Sequence, residues 1–215
     1  MFLTIAVAAV FYQTGTVADY FPLEPGTKKV YEQTRGKMMS LQTDVVGKPV
    51  EIDGHLLTPI VTEANGQKIG TTYYQIAGDT VFSVGTTRKD GKDVCLDRVP
   101  ILKMGESKMK WQYAGYVEWF GKPYPQHMDA YLTYKGKRKL FGKEVDVLEV
   151  RYETTLGAGD GVADVHTKMT ALYAKGIGLF EQKDESVVNK VKTKQTLKLI
   201  EFTPAQPASP VKDIK

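Results

Sequence analysis

The chain has 215 residues, a formal net charge of +4 and a single cysteine, Cys95. Its length suits one all-β domain or two small ones, long enough to bury a core without staples. A lone cysteine excludes an intramolecular disulfide, and so modest a charge argues against nucleic acid as a partner.

Residues 2–11 form a short apolar run broken by Thr4, residues 12–17 are mildly polar, and the chain changes character after Ala18. This pattern reads as a secretory signal peptide over residues 1–18, cut after Ala18, with the rest of the chain in the periplasm or outside the cell. The run is shorter than the roughly 20 apolar residues needed to span a bilayer, so the chain is not read as an integral membrane protein.

From Lys28 onward, alternation of period two dominates. Met109, Trp111 and Tyr113 share one face, opposite Lys108, Lys110 and Gln112. Met128, Ala130, Leu132 and Tyr134 alternate with His127, Asp129, Tyr131 and Thr133. Val165, Thr167, Met169, Ala171 and Tyr173 repeat the pattern against His166, Lys168 and Thr170. Half-covered strands give such alternation.

Turn signals stand at Pro25-Gly26, Asp53-Gly54, Asn65-Gly66, Asp90-Gly91, Lys135-Gly136, Gly142 and residues 157–161. Their spacing predicts roughly eleven strands joined mainly as an antiparallel meander. Pro59 predicts an edge strand at its position. Val145 and Val147 share a face, whereas Leu148, Val150 and Tyr152 take the other; Leu197 and Leu199 likewise give way to Ile200 and Phe202. Each change of phase predicts a bulge or a strand crossing between buried sides. A short helix over residues 114–120 is the one helical candidate.

The fold class is therefore all-β: one strongly curved, mainly antiparallel sheet shaped as a half-barrel or clam, with a β-sandwich as the alternative. The domain covers residues 19–203, and the Pro-rich residues 204–215 read as a disordered tail.

Two segments resemble a known group. Tyr20-Phe21-Pro22-Leu23-Glu24-Pro25-Gly26, leading to Val30-Tyr31, is similar to the opening of a group of uncharacterised exported bacterial β proteins. Tyr173-Ala174-Lys175-Gly176-Ile177-Gly178-Leu179-Phe180 resembles the same group's Tyr-x-x-Gly-x-Gly-Leu segment. Relatives often carry Trp where Lys29 stands. The resemblance implies a curved antiparallel fold akin to the half-barrels of lipoprotein carriers, and no activity. Gly176 and Gly178 are expected to permit backbone angles or close packing that a side chain forbids.

Chemistry-bearing residues are sparse. His127 with Asp129, and Asp164 with His166, would make a metal site or a His–carboxylate dyad only if their strands met. Residues 157–164 lack the ligand spacing of a calcium loop and the βαβ context of a dinucleotide fingerprint. Cys95 reads as a small buried hydrophobe. The Lys-rich segments at residues 134–139 and 190–198 read as solvated edges.

The aromatics are more informative. Tyr74, Phe82, Trp111, Tyr113, Trp119 and Phe120 concentrate in the central third and are the candidate ligand-groove residues. The resulting expectation is an exported, non-enzymatic binding or carrier module for a lipid or other apolar ligand, with no cofactor or metal. A structural or interaction protein of the cell envelope is the first alternative, and a hydrolase using the His/Asp pairs the second.

Overall fold

The computed structural model describes residues 15–88, 93–105, 108–119, 122–157 and 164–206. A single helical turn, α1 (Val17–Tyr20), precedes thirteen strands: β1 (Lys28–Arg35), β2 (Met38–Val46), β3 (Val50–Ile52), β4 (His55–Ala64), β5 (Gln67–Ala77), β6 (Thr80–Arg88) and β7 (Asp93–Lys103). Then come β8 (Lys108–Trp119), β9 (Lys122–Leu140), β10 (Lys143–Leu156), β11 (Val165–Ala174), β12 (Gly178–Val188) and β13 (Val191–Thr203). The chain is all-β in one antiparallel sheet, with thirteen strands among the described residues where roughly eleven were expected. Where a helix was expected over residues 114–120, residue 120 lies outside the described residues and residues 114–119 are instead the end of β8. Its ladder with β9 runs from Lys108–Thr133 to Trp119–Lys122, and that pairing overrides local propensity.

The strand order is β7-β6-β5-β4-β2-β1-β13-β12-β11-β10-β9-β8, with β3 paired to β4 alone. The two ends of this path, β7 and β8, come back together. Trp111 Nε1 on β8 donates across this seam to the Pro100 carbonyl of β7 at 2.9 Å, and from β10 the Tyr152 hydroxyl donates to the Ile101 carbonyl of β7. The sheet is thus a nearly closed barrel, more curled than a half-barrel, as expected where right-handed twist accumulates over many strands.

Two features of the sequence pattern acquire definite causes. The β9–β10 register shifts between Asp146 and Leu148, so Val147 enters one buried cluster while Leu148, Val150 and Tyr152 enter another. The β1–β13 register shifts between Val30 and Tyr31, which leaves Ile200 as the extra residue, 47% exposed between buried Leu199 and half-buried Phe202. Pro59 is not on an edge strand, because β4 is flanked on both sides. It sits between the part of β4 paired to β3 and the part paired to β2, where its missing N–H breaks no ladder and its carbonyl accepts from Gly47 N at 2.8 Å.

The turn α1 closes one end of the barrel. Thr16 N donates to Asp19 Oδ2 at 2.7 Å, and Gly176 N donates to the Asp19 carbonyl at 2.7 Å, tying the turn to the β11–β12 connection. Val17, Tyr20 and Phe21 are buried in the main core. The expected cleavage point after Ala18 falls inside this turn. Cys95 has its side chain outside the described part, as do most of the 157–164 loop and the tail beyond residue 206.

Candidate ligand cavity

Inside the barrel lies a cavity of ≈ 370 Å³ whose lining is drawn from α1's exit and from strands on both sides of the seam. Phe21, Val46, Ile60, Val99, Ile101, Met128, Met169 and Leu179 supply its apolar wall. Tyr31, Tyr74, Tyr152 and Tyr173 stand among them, with Thr27, Lys29, Asp44, Gln126, Thr154 and Gln182 as the polar groups. Apart from Phe21 and Thr27, which lie between α1 and β1, residues so far apart in sequence meet because each is an inward position of a strand in a sheet that curls on itself.

The tyrosines are fixed rather than free. Tyr31 donates to the Leu179 carbonyl at 3.1 Å, and the Tyr152 hydroxyl lies 3.4 Å from that of Tyr173. Phe21 packs its ring 5.1 Å from Tyr74 and 6.3 Å from Tyr173, so α1's exit roofs the cavity with aromatic contact. Burial pushes all four phenols above their ordinary range, so they stay neutral.

Two charged groups sit in this wall. Lys29 on β1 and Asp44 on β2 are directly opposite in the ladder. Lys29 is 7% exposed, and burial pushes its amine down to about 8, against the opposing fields of Asp44 and Glu24. Asp44 is raised by burial, while its Oδ1 accepts from Thr62 Oγ1 at 2.9 Å and Gln42 Nε2 at 3.1 Å. The Lys29 amine has no hydrogen bond and no carboxylate oxygen within 4.0 Å among the described residues. A β-carbon added to Gly178, whose φ is +90°, would stand 2.6 Å from Lys29 Nζ and 3.1 Å from Pro22 Cδ. That glycine supplies the close packing expected of it, whereas Gly176 at φ +75° supplies only a backbone angle.

Of the six aromatic candidates, Tyr74 lines the cavity. Trp111 is a buried core residue at the seam, its ring edge-on to Tyr152 at 6.4 Å. Tyr113 is half-buried against the same core. Phe82 is half-buried on β6 beneath the Arg98 guanidinium, 4.3 Å from its ring centre. The Trp119 side chain and Phe120 lie outside the described residues. Lys29, Tyr31, Tyr152 and Tyr173 were not among the candidates. The usable signal was a lysine two positions from Tyr31, hence on the same strand face.

The histidines are brought near one another but not together. Thr155 on β10 opposes His127 on β9 and His166 on β11, so the two histidine backbones stand two strand spacings apart, about 10 Å. Both are exposed, as alternation predicted. His127 Nε2 is 3.3 Å from Asp129 Oδ2, and His166 Nδ1 is 3.3 Å from Thr155 Oγ1. Among the described residues no three His, Cys, Asp or Glu side chains are grouped to hold a metal. The basic segments are paired in part across strands: Lys137 lies 3.5 Å from Glu144, and Lys192 and Lys194 share Glu185.

No family model and no curated protein matches the chain. Three solved structures are similar in shape. An inferred lipoprotein of Parabacteroides distasonis aligns at TM-score 0.50 and 11% identity, covering 86% of this chain and 98% of its own. An inferred exported protein with a YmcC-like fold from Bacteroides fragilis aligns at TM-score 0.44 and 11% identity, covering 86% and 99%. The hypothetical lipoprotein YmcC of Escherichia coli aligns at TM-score 0.35 and 9% identity, covering 89% and 92%. The first of these likenesses places the chain among proteins of the same curved β architecture; at such identity it speaks for the fold alone.

Proposed function

We propose that this chain is an exported, non-enzymatic binding or carrier module whose barrel interior holds a lipid or another apolar molecule. The observation that carries the reading is the cavity itself. Its volume of ≈ 370 Å³ lies within the range of small-molecule sites, and its wall is mainly apolar and aromatic with a few placed polar groups. A core built only for stability would close such a space, because interiors pack to crystal-like density. The export signal read from residues 1–18 supplies the location.

Native mass spectrometry of the protein purified from its own host tests the reading, followed by delipidation and titration with a fluorescent acyl probe. A bound mass of lipid size, replaced stoichiometrically by the probe, is expected. A bare chain that takes up no apolar probe overturns it.

A second reading, an interaction protein of the cell envelope, draws on a different observation. Because all pairings are antiparallel, the β1–β2, β4–β5 and β12–β13 hairpin tips lie at one end of the barrel, and exposed Met38, Met39, Ile69 and Val191 gather there. Recovery of one stable partner with no lipid in the native spectrum would favour it.

A further inference from the structure

We infer that Lys29 is the polar anchor of the cavity and that the bound molecule is a single-chain amphiphile with an anionic oxygen head group. This rests on the carrier reading above and names the ligand class.

The charged groups of the cavity wall are unequally satisfied. Buried charged groups in folded proteins are paired, hydrogen-bonded or bound to a ligand, since an isolated one gives up its hydration for nothing. Asp44 meets that requirement internally, with Thr62 and Gln42 both donating to it. Lys29 does not: it lines the cavity, is nearly fully buried, and has no acceptor within hydrogen-bond reach among the described residues. Asp44 and Glu24 act on it only through their fields.

The remaining lining sorts by the same logic. The phenols of Tyr31 and Tyr152 are committed to carbonyl oxygens, so they are poor partners for a ligand head. Met128 and Met169 offer flexible apolar walls suited to an alkyl chain. Among the described residues, Lys29 is the cation of the lining and makes no hydrogen bond, whereas Asp44 takes two on Oδ1. A carboxylate or phosphate oxygen completes it with a charge-assisted bond. A cationic ligand would meet the Lys29 ammonium beside a carboxylate whose Oδ1 already takes two hydrogen bonds.

The test compares cis-parinaric acid with its methyl ester on the delipidated full chain, with dodecyl phosphate as a competitor. At pH 7 the acid is expected to bind about tenfold or more tightly than the ester. Lys29→Met is expected to abolish that preference while leaving ester binding intact, and Lys29→Gln serves should the first variant fold poorly. Displacement by dodecyl phosphate but not by dodecanoate assigns a phosphate head; the converse assigns a carboxylate. Equal binding of acid and ester by the unaltered protein overturns the anchor while the carrier reading stands. Binding of neither overturns both.

Discussion

Lys29, buried, and Asp44, half-buried, face each other across the β1–β2 ladder without forming an ion pair within 4.0 Å. The ladder fixes their backbones, but Asp44 is turned to Thr62 on the far side of β2, so the carboxylate is engaged elsewhere. A buried ammonium without a close counter-charge weakens the fold, and that cost must appear in its response to pH.

The amine loses its proton near 8 in the folded chain and near 10.5 in the unfolded one. Between those values the unfolded chain holds more protons, so stability rises with pH, by up to about 3 kcal/mol over the full window. Tyr31, Tyr74, Tyr152 and Tyr173 oppose this at the top of the window. Held neutral by burial, they make stability fall once unfolded tyrosines ionise above about pH 10. Urea unfolding at a series of pH values should show a maximum between pH 8 and 10.5. Lys29→Met should be more stable than the parent at pH 7 and lack the rise.

Trp111→Phe should lower stability by about 1–3 kcal/mol, because it leaves the Pro100 carbonyl without its donor at the seam. The midpoint of urea unfolding checks this. An unchanged midpoint would mean that the indole bond does not help to hold the seam.

Gly176 and Gly178 share a positive φ but not a neighbourhood. Gly176→Ala meets open space and should cost about 1 kcal/mol, the penalty of a left-handed conformation. Gly178→Ala drives a methyl into Lys29 and Pro22 and should cost about 2 kcal/mol or more. Thermal unfolding of the two variants should therefore rank them clearly.

A chain beginning at Asp19 should be less stable than one beginning at Gly15 by about 1–3 kcal/mol. It lacks Val17, 2% exposed in the core, and the Thr16 amide that holds Asp19. Intact-mass measurement of the protein from its own host shows whether and where the chain is cut, and unfolding of the two forms gives the cost.

Much of this fold was legible because alternation is local. The inward sets Met128–Ala130–Leu132 and Ala171–Tyr173 are buried as their spacing required, and His127, His166, Lys108 and Lys110 are exposed. The phase change at Val147–Leu148 announced a bulge. Turns announced themselves where glycine follows Asp53 and Asn65, both at φ near +50°. The equivalent turn at Asn189-Lys190 carries no glycine and was missed. Pro59 misled because its meaning depends on where two other strands stop.

The candidate site was much less visible. A cavity is a property of how far the sheet curls, which no window of residues encodes, so Trp111 and Tyr74 looked equivalent until closure put one at the seam and the other inside. Lys29 carried a signal of a different kind, a charged residue at an inward position, which is informative because it is locally inconsistent.

Closing the barrel by side chains rather than by a last ladder has a consequence for self-association. Unpaired strand edges are templates on which a second chain can add its own strand. Here the two edges lie against each other, Trp111 and Tyr152 occupy the Pro100 and Ile101 carbonyls, and Pro100 has no N–H to offer. The place where the sheet stops is thus guarded against strand addition by the same contacts that complete the wall of the cavity.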